Sequence, residues 1–130
     1  MNKFSYTIFY VQNVEKTLEF YENAFGFTRK FMAPGNEYGE LDTGITTLSF
    51  ASITQANSNL KNGFLQSDPN QKPFAVEIGI TTEDVPGAVA KAVNAGASIL
   101  EEPATKPWGQ VVAYVRDPEG FLIEICTPMD

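Results

Sequence analysis

Apolar and polar residues alternate over Tyr6–Val11, with Tyr6, Ile8 and Tyr10 on one parity and Thr7, Phe9 and Val11 on the other. That period of two predicts a short strand. The period then changes. Leu18, Tyr21 and Phe25 recur at spacings of three and four, which predicts an amphipathic helix over Glu15–Ala24. Asn13 suits its N-cap and Gly26 its stop. Phe27–Met32 and Glu37–Asp42 read as a hairpin around Ala33-Pro34-Gly35-Asn36, and Thr46–Ala51 as a strand after Gly44.

The same order then repeats. Phe74–Thr82 reads as a strand, and Val85–Ala95 as a helix with Val85, Val89 and Val93 on one stripe and Ala88 and Ala92 beside it. Asp84 suits the N-cap and Pro86 the first turn. Ser98–Glu101 and Val111–Arg116 read as strands around a Pro103–Gly109 loop. Asp117-Pro118-Glu119-Gly120 is a strong turn signal before a last strand, Phe121–Cys126. Each half is therefore β-α-β-β-β. A repeat of this length suits two modules of one sheet and not a solenoid.

Between the halves, Ile53–Pro73 is rich in Asn, Gln, Ser and Lys and holds Pro69 and Pro73. It reads as a connection with a helical turn around Asn57–Lys61. The expected organisation is a single domain over 1–130: module one at about 1–52, the connection at 53–73, and module two at about 74–130.

With 130 residues, 43% hydrophobic and 19% charged, the chain has the composition of a globular domain. The net charge of −7 argues against nucleic acid or an anionic membrane surface as partner. One cysteine, Cys126, permits no intramolecular disulfide, and the N-terminal stretch lacks the apolar core of a signal peptide or anchor. The expected location is cytoplasmic. The count that changes the picture most is histidine, which is absent. The commonest general base and transition-metal ligand is thereby removed.

Tyr10-Val11, Val14–Leu18, Phe20-Tyr21 and Phe25–Phe27 in the first half resemble the vicinal oxygen chelate superfamily, the glyoxalase I, bleomycin-resistance and extradiol-dioxygenase group. So do Asp84-Val85, Ala95–Ala97, Tyr114–Gly120 and Ile123–Ile125 in the second. The Asp-Pro-Glu-Gly turn followed by a strand carrying Glu124 is the most specific part. The resemblance implies an α+β fold: two βαβββ modules forming a curved mixed sheet around a cavity. It also implies a homodimer. In the enzymes of the group a divalent metal sits in the cavity, held from the first and last strands of each module. Carried over, those positions fall on Tyr6, Ser49, Glu77 and Glu124.

Strand parity checks this assignment independently. Ile123 and Ile125 share one face of the last strand, leaving Leu122, Glu124 and Cys126 on the other. Ile78 and Ile80 do the same for the fifth strand, leaving Glu77, Gly79 and Thr81. Glu77 and Glu124 are thus expected on one concave surface. Carboxylates there need a metal, a cationic ligand, a hydroxyl or water. Magnesium accepts such all-oxygen sites, whereas zinc, nickel and iron normally take imidazole or thiolate as well. Cys126 shares that face but has no activating partner in the sequence, so it reads as an inert thiol. Trp108, between Pro107 and Gly109, reads either as a stacking lid or as a plug over the sheet rim. Tyr6, Tyr10 and Tyr114 would give the cavity a polar-aromatic lining.

The reading that follows is a small-molecule-binding protein resembling the bleomycin-resistance branch. It takes an aromatic or cationic ligand without a transition metal or other cofactor, through Tyr6, Ser49, Glu77, Trp108, Tyr114 and Glu124. The alternative is a divalent-metal-dependent lyase, isomerase or dioxygenase, with Glu77 and Glu124 on the ion.

Overall fold

In the computed structural model, which describes residues 1–129, the strands fall into two four-stranded sheets. The first contains β1 (Thr7–Val11), β2 (Thr28–Met32), β3 (Tyr38–Asp42) and β4 (Thr47–Ser52), with α1 (Val14–Phe25) between β1 and β2. The second contains β5 (Glu77–Thr81), β6 (Ser98–Thr105), β7 (Val111–Arg116) and β8 (Leu122–Cys126), with α3 (Val85–Ala95) between β5 and β6. A shorter helix, α2 (Ile53–Asn59), follows β4. The strand orders are β1-β4-β3-β2 and β5-β8-β7-β6. In each, the first and last strands run parallel and the other pairs antiparallel. This is the α+β, doubled βαβββ arrangement that the hydrophobic pattern implies.

The chain resolves into two compact units, Met1–Glu22 with Gly26–Gln66, and the chain from Ser67 onward with Asn23–Phe25. The first unit is built on the buried side chains Val11, Leu18, Tyr21, Leu41 and Phe50. Tyr21 stacks on Phe50 at a centroid distance of 5.2 Å. Burying each such side chain contributes about 1.5–3 kcal/mol. The Asn13 side chain caps α1 by accepting from Lys16 N, and Gly26 ends the helix in the left-handed conformation at φ 73°. Gly39 on β3 lets the helix settle close, because a Cβ there would lie 2.7 Å from Leu18 Cδ1.

In the second unit, α3 lies against β6, β7 and β8. Its buried stripe is Val85, Val89 and Ala92, whereas Val93 is 40% exposed. The expected stripe through Val93 fails because a spacing of four repeated twice drifts off a 3.6-residue period, so the seventh position returns to the core. The inward faces of β7 and β8 supply Ala113, Val115, Ile123 and Ile125, all fully buried.

Other boundaries differ from the expectation. β1 begins at Thr7, which leaves Tyr6 ahead of the strand and 52% exposed. The helical turn expected at Asn57–Lys61 is instead α2, which begins earlier at Ile53 and is capped by the Ser52 side chain, which accepts from Gln55 N. β6 runs on to Thr105 through two register shifts, so Pro103 lies within a strand. An edge strand tolerates this, since proline there costs no ladder bond that a neighbour needs.

Arg116, only 5% exposed, ties the segment before β5 to the second sheet. Its Nε donates to Gly120 O at 2.9 Å, Nη2 to Asp68 O at 3.0 Å, and Nη1 to Pro69 O and Gln71 O. Gly120 sits at φ 100°, and a Cβ on it would meet Ser67, Pro69 and Arg116 at 2.8–2.9 Å. Glycine is therefore required there by both conformation and space.

Candidate functional site

Pairing registers define a row across each sheet. In the second sheet, Gly79 pairs with Glu124, Glu124 with Tyr114, and Tyr114 with Glu101. Paired residues share a face, so this row stands opposite the α3 side, where Ile123 and Ile125 are buried. Glu77 is on the same face, two residues before Gly79. The parity argument therefore correctly joins Glu77 and Glu124.

Glu124 is half-buried and receives two donors. Tyr114 Oη donates to Glu124 Oε2 at 3.2 Å, and the Cys126 thiol lies 3.7 Å from Oε1. Glu77 and Glu124 stand on one face of adjacent paired strands, near enough for the charge of one to act on the other. Partial burial, and then the Glu124 charge, push the Glu77 carboxyl above the usual carboxylate range. Because Glu77 is largely exposed, solvent screens much of this effect. Burial first, and Glu124 second, also raise the Tyr114 phenol and the Cys126 thiol, so both remain donors near neutral pH. Among the described residues, no lysine or arginine nitrogen lies within 4 Å of Glu77 or Glu124. The nearest candidate by parity, Arg116, is committed to backbone carbonyls.

The first sheet carries a corresponding row. Ile8 pairs with Ser49, Ser49 with Glu40, and Glu40 with Phe31. Ser49 thus holds the place in β4 that Glu124 holds in β8, and Tyr6 precedes Ile8 as Glu77 precedes Gly79. Ser49 is fully buried, and its partner is Tyr38, whose Oη lies 3.1 Å from Ser49 Oγ and 2.7 Å from Glu40 Oε2. Burial chiefly, and Glu40 in part, push Tyr38 up to about 12.

Tyr38, Glu40 and Glu101 escaped the sequence reading. The signal available was pairing: each lies across from a residue already singled out, but strand register cannot be read until the hairpins close. Trp108 is brought to neither row. It lies 62% exposed in the turn between β6 and β7, its indole donating to Gln110 Oε1 at 2.8 Å. Gln110 in turn donates to Thr127 O, beyond the end of β8. Tyr10 packs instead against Phe64, at a centroid distance of 4.9 Å.

The second sheet offers two carboxylates and a phenol to a cation. Among the described residues, no group of three or more His, Cys, Asp or Glu side chains is placed to hold one metal ion. Cys126 is pushed towards its protonated form, which is the wrong form for a ligand. A hard ion that keeps most of its water could rest on Glu77 and Glu124. The soft or borderline donors that zinc, nickel and iron prefer are not gathered there, so this donor set does not fit a resident transition metal.

Comparison with known proteins agrees with the fold. The chain is 26% identical over 126 residues to a lactoylglutathione lyase of Arabidopsis thaliana, and 25% identical to a putative lactoylglutathione lyase of Brassica oleracea. It spans 95% of its own length but only 43% of theirs. A glyoxalase-related enzyme from Fulvimarina pelagi superposes with a TM-score of 0.82 at 18% identity, covering 98% of this chain and 89% of that one. A glyoxalase/bleomycin resistance protein/dioxygenase family enzyme from Burkholderia phytofirmans gives 0.78 at 23% identity, covering 96% and 98%. Residues 3–125 match the family described as the Glyoxalase/Bleomycin resistance protein/Dioxygenase superfamily, and the chain belongs to that superfamily.

Proposed function

We propose that this protein is a small-molecule-binding member of the superfamily, taking an aromatic or cationic ligand on the acidic face of its second sheet without a transition metal. The observation that carries the reading is the Glu77–Glu124 pair. The two carboxylates share one face, with Tyr114 donating to one of them and, among the described residues, no lysine or arginine nitrogen within 4 Å. Two uncompensated carboxylates attract a cation and repel an anion. Tyr114 fixes the direction of one carboxylate, so that a ligand meets an oriented acceptor and little side-chain entropy is lost on binding. Ligand-binding roles for Tyr6, Ser49 and Trp108, and a homodimer, remain part of the proposal on the family resemblance alone, since Ser49 is fully buried and Trp108 lies in the β6–β7 turn.

A second reading is a lyase, isomerase or dioxygenase dependent on a divalent ion. The lactoylglutathione lyase names of the relatives favour it, as does Glu124 at the position where the group carries a ligand. One experiment separates the two. Protein purified without chelator or affinity tag is assayed for bound metal, and then titrated calorimetrically with benzyltrimethylammonium and with neutral benzyl alcohol. The same is done on a Glu77→Gln/Glu124→Gln variant. The proposal expects substoichiometric metal and a preference for the cation that falls by about tenfold in the variant, equivalent to about 1.4 kcal/mol. Near-stoichiometric metal that disappears in the variant would establish the second reading instead.

A further inference from the structure

The first sheet holds a carboxylate of its own, built differently. Glu40 stands on β3, half-buried, beside Tyr38 and across from Phe31. Proton counting fixes how this cluster is wired. A phenol has one proton and a carboxylate only accepts. The short 2.7 Å contact is Tyr38 donating to Glu40, and the longer 3.1 Å contact is the same hydroxyl reaching Ser49 Oγ. The phenol is thus the donor of the cluster, its stronger bond directed at the carboxylate. Tyr38 holds Oε2 of Glu40 in place, and Oε1 has no hydrogen-bond partner among the described residues.

Aromatic side chains share the face of Glu40, which pairs with Phe31 across the strands. The Phe31 and Tyr38 rings lie 6.4 Å apart, Phe31 is 48% exposed, and the Tyr6 phenol is near enough to act on Tyr38. The nearest cation by sequence, Lys30, donates to Thr47 Oγ1 at 3.1 Å, and no ammonium or guanidinium of the chain comes within 4 Å of Glu40 among the described residues. An oriented carboxylate paired with an exposed aromatic residue is the chemistry that recognises an organic ammonium: charge from the carboxylate and attraction to the ring quadrupole.

We infer that Glu40, Tyr38 and Phe31 form a second recognition site, on the first sheet, for the ammonium group of a small organic cation. It rests on the reading that the protein binds cationic small molecules, and it adds the class of the charged group and the residues that hold it. It also reverses the plan of the second sheet. There the acid is on the last strand and the phenol on the third, whereas here the acid is on the third strand and a serine on the last.

The test is amide-resolved NMR of the whole chain titrated with benzyltrimethylammonium, with benzyl alcohol as the neutral control. The expected result is saturable shifts at Tyr38, Glu40 and Ser49 that benzyl alcohol does not reproduce. In Glu40→Gln, affinity at those amides falls at least fivefold while the shifts at Gly79 and Glu124 keep their midpoint. Unchanged spectra elsewhere verify that the variant is folded, and Phe31→Leu should weaken the same amides by a smaller factor. Shifts confined to Gly79 and Glu124, or first-sheet affinity indifferent to Glu40→Gln, overturn this inference and leave the previous proposal standing. Shifts confined to the first sheet and abolished by Glu40→Gln support it while sinking the role given to Glu77 and Glu124. No cation-dependent shift in either sheet overturns both.

Discussion

Replacing Arg116 by methionine isolates the contribution of one buried cation. Methionine keeps most of the aliphatic stem but removes donors to four backbone carbonyls, those of Asp68, Pro69, Gln71 and Gly120. Three of these belong to an exposed segment and regain water when it peels away. The fourth, on the buried Gly120, stays orphaned, at a cost of about 1–3 kcal/mol. The lost charge-assisted bonds add to this, and the relieved desolvation of the guanidinium subtracts from it. The net expectation is about 2–4 kcal/mol. At about 2.1 cal/mol/K per residue, 130 residues give an unfolding entropy near 0.27 kcal/mol/K, so the melting temperature falls by about 7–15 °C. Circular dichroism melts provide the number. Hydrogen exchange provides the location: amides of Asp68–Gln71 should exchange faster before any in β7 or β8 do. Arg116→Lys keeps the charge but not the fan of donors, and should recover less than half of the loss. A melting shift under about 2 °C, with exchange at Asp68–Gln71 unchanged, would refute the reasoning.

Two further outcomes follow from local geometry. Glu77 is held above its unfolded-state value, so the folded chain retains its proton to higher pH than the unfolded chain does. That contribution is fully present at pH below the unfolded value and is lost as pH rises through the raised folded value. Glu77→Gln should therefore leave the melting temperature nearly unchanged at pH 4 and raise it by about 1–2 °C at pH 7–8, the scale of an exposed substitution. A fall at pH 7–8 in differential scanning calorimetry would contradict the sign. Asn13→Ala removes the acceptor for Lys16 N at the start of α1 and should cost about 1 kcal/mol in urea denaturation, with Asn13→Asp restoring most of it.

Much of the fold is legible in the residues because the signals are local. Asn13 and Asp84 cap helices by reaching an amide three residues on, and Gly26 and Gly96 end them, all within one turn of chain. The Asp117–Gly120 turn is similarly self-contained, with Asp117 Oδ1 accepting from Glu119 N and Phe121 N. The joining of Glu77 with Glu124 is legible for a related reason. Parity along a strand says which residues share a face, and the apolar parity on both strands identifies the buried one. What parity does not say is which residue lies beside which. Tyr38 and Glu40 next to Ser49, and Tyr114 next to Glu124, depend on the register between strands.

The sequence by itself determined the order of elements, their duplication, the absence of imidazole and the shared face of Glu77 and Glu124, since these depend on composition and on backbone periods of 2 and 3.6 residues. Tertiary structure alone decided the pairings across strands. It also decided that Arg116 serves the carbonyls of Asp68, Pro69 and Gln71, and that among the described residues no cation lies within 4 Å of Glu77 or Glu124. The donation from Tyr38 to Glu40 and to Ser49 was likewise a tertiary outcome. Those features join residues far apart in the chain, and hydrogen-bond direction and charge compensation are set by ångström-scale distances that no local pattern encodes.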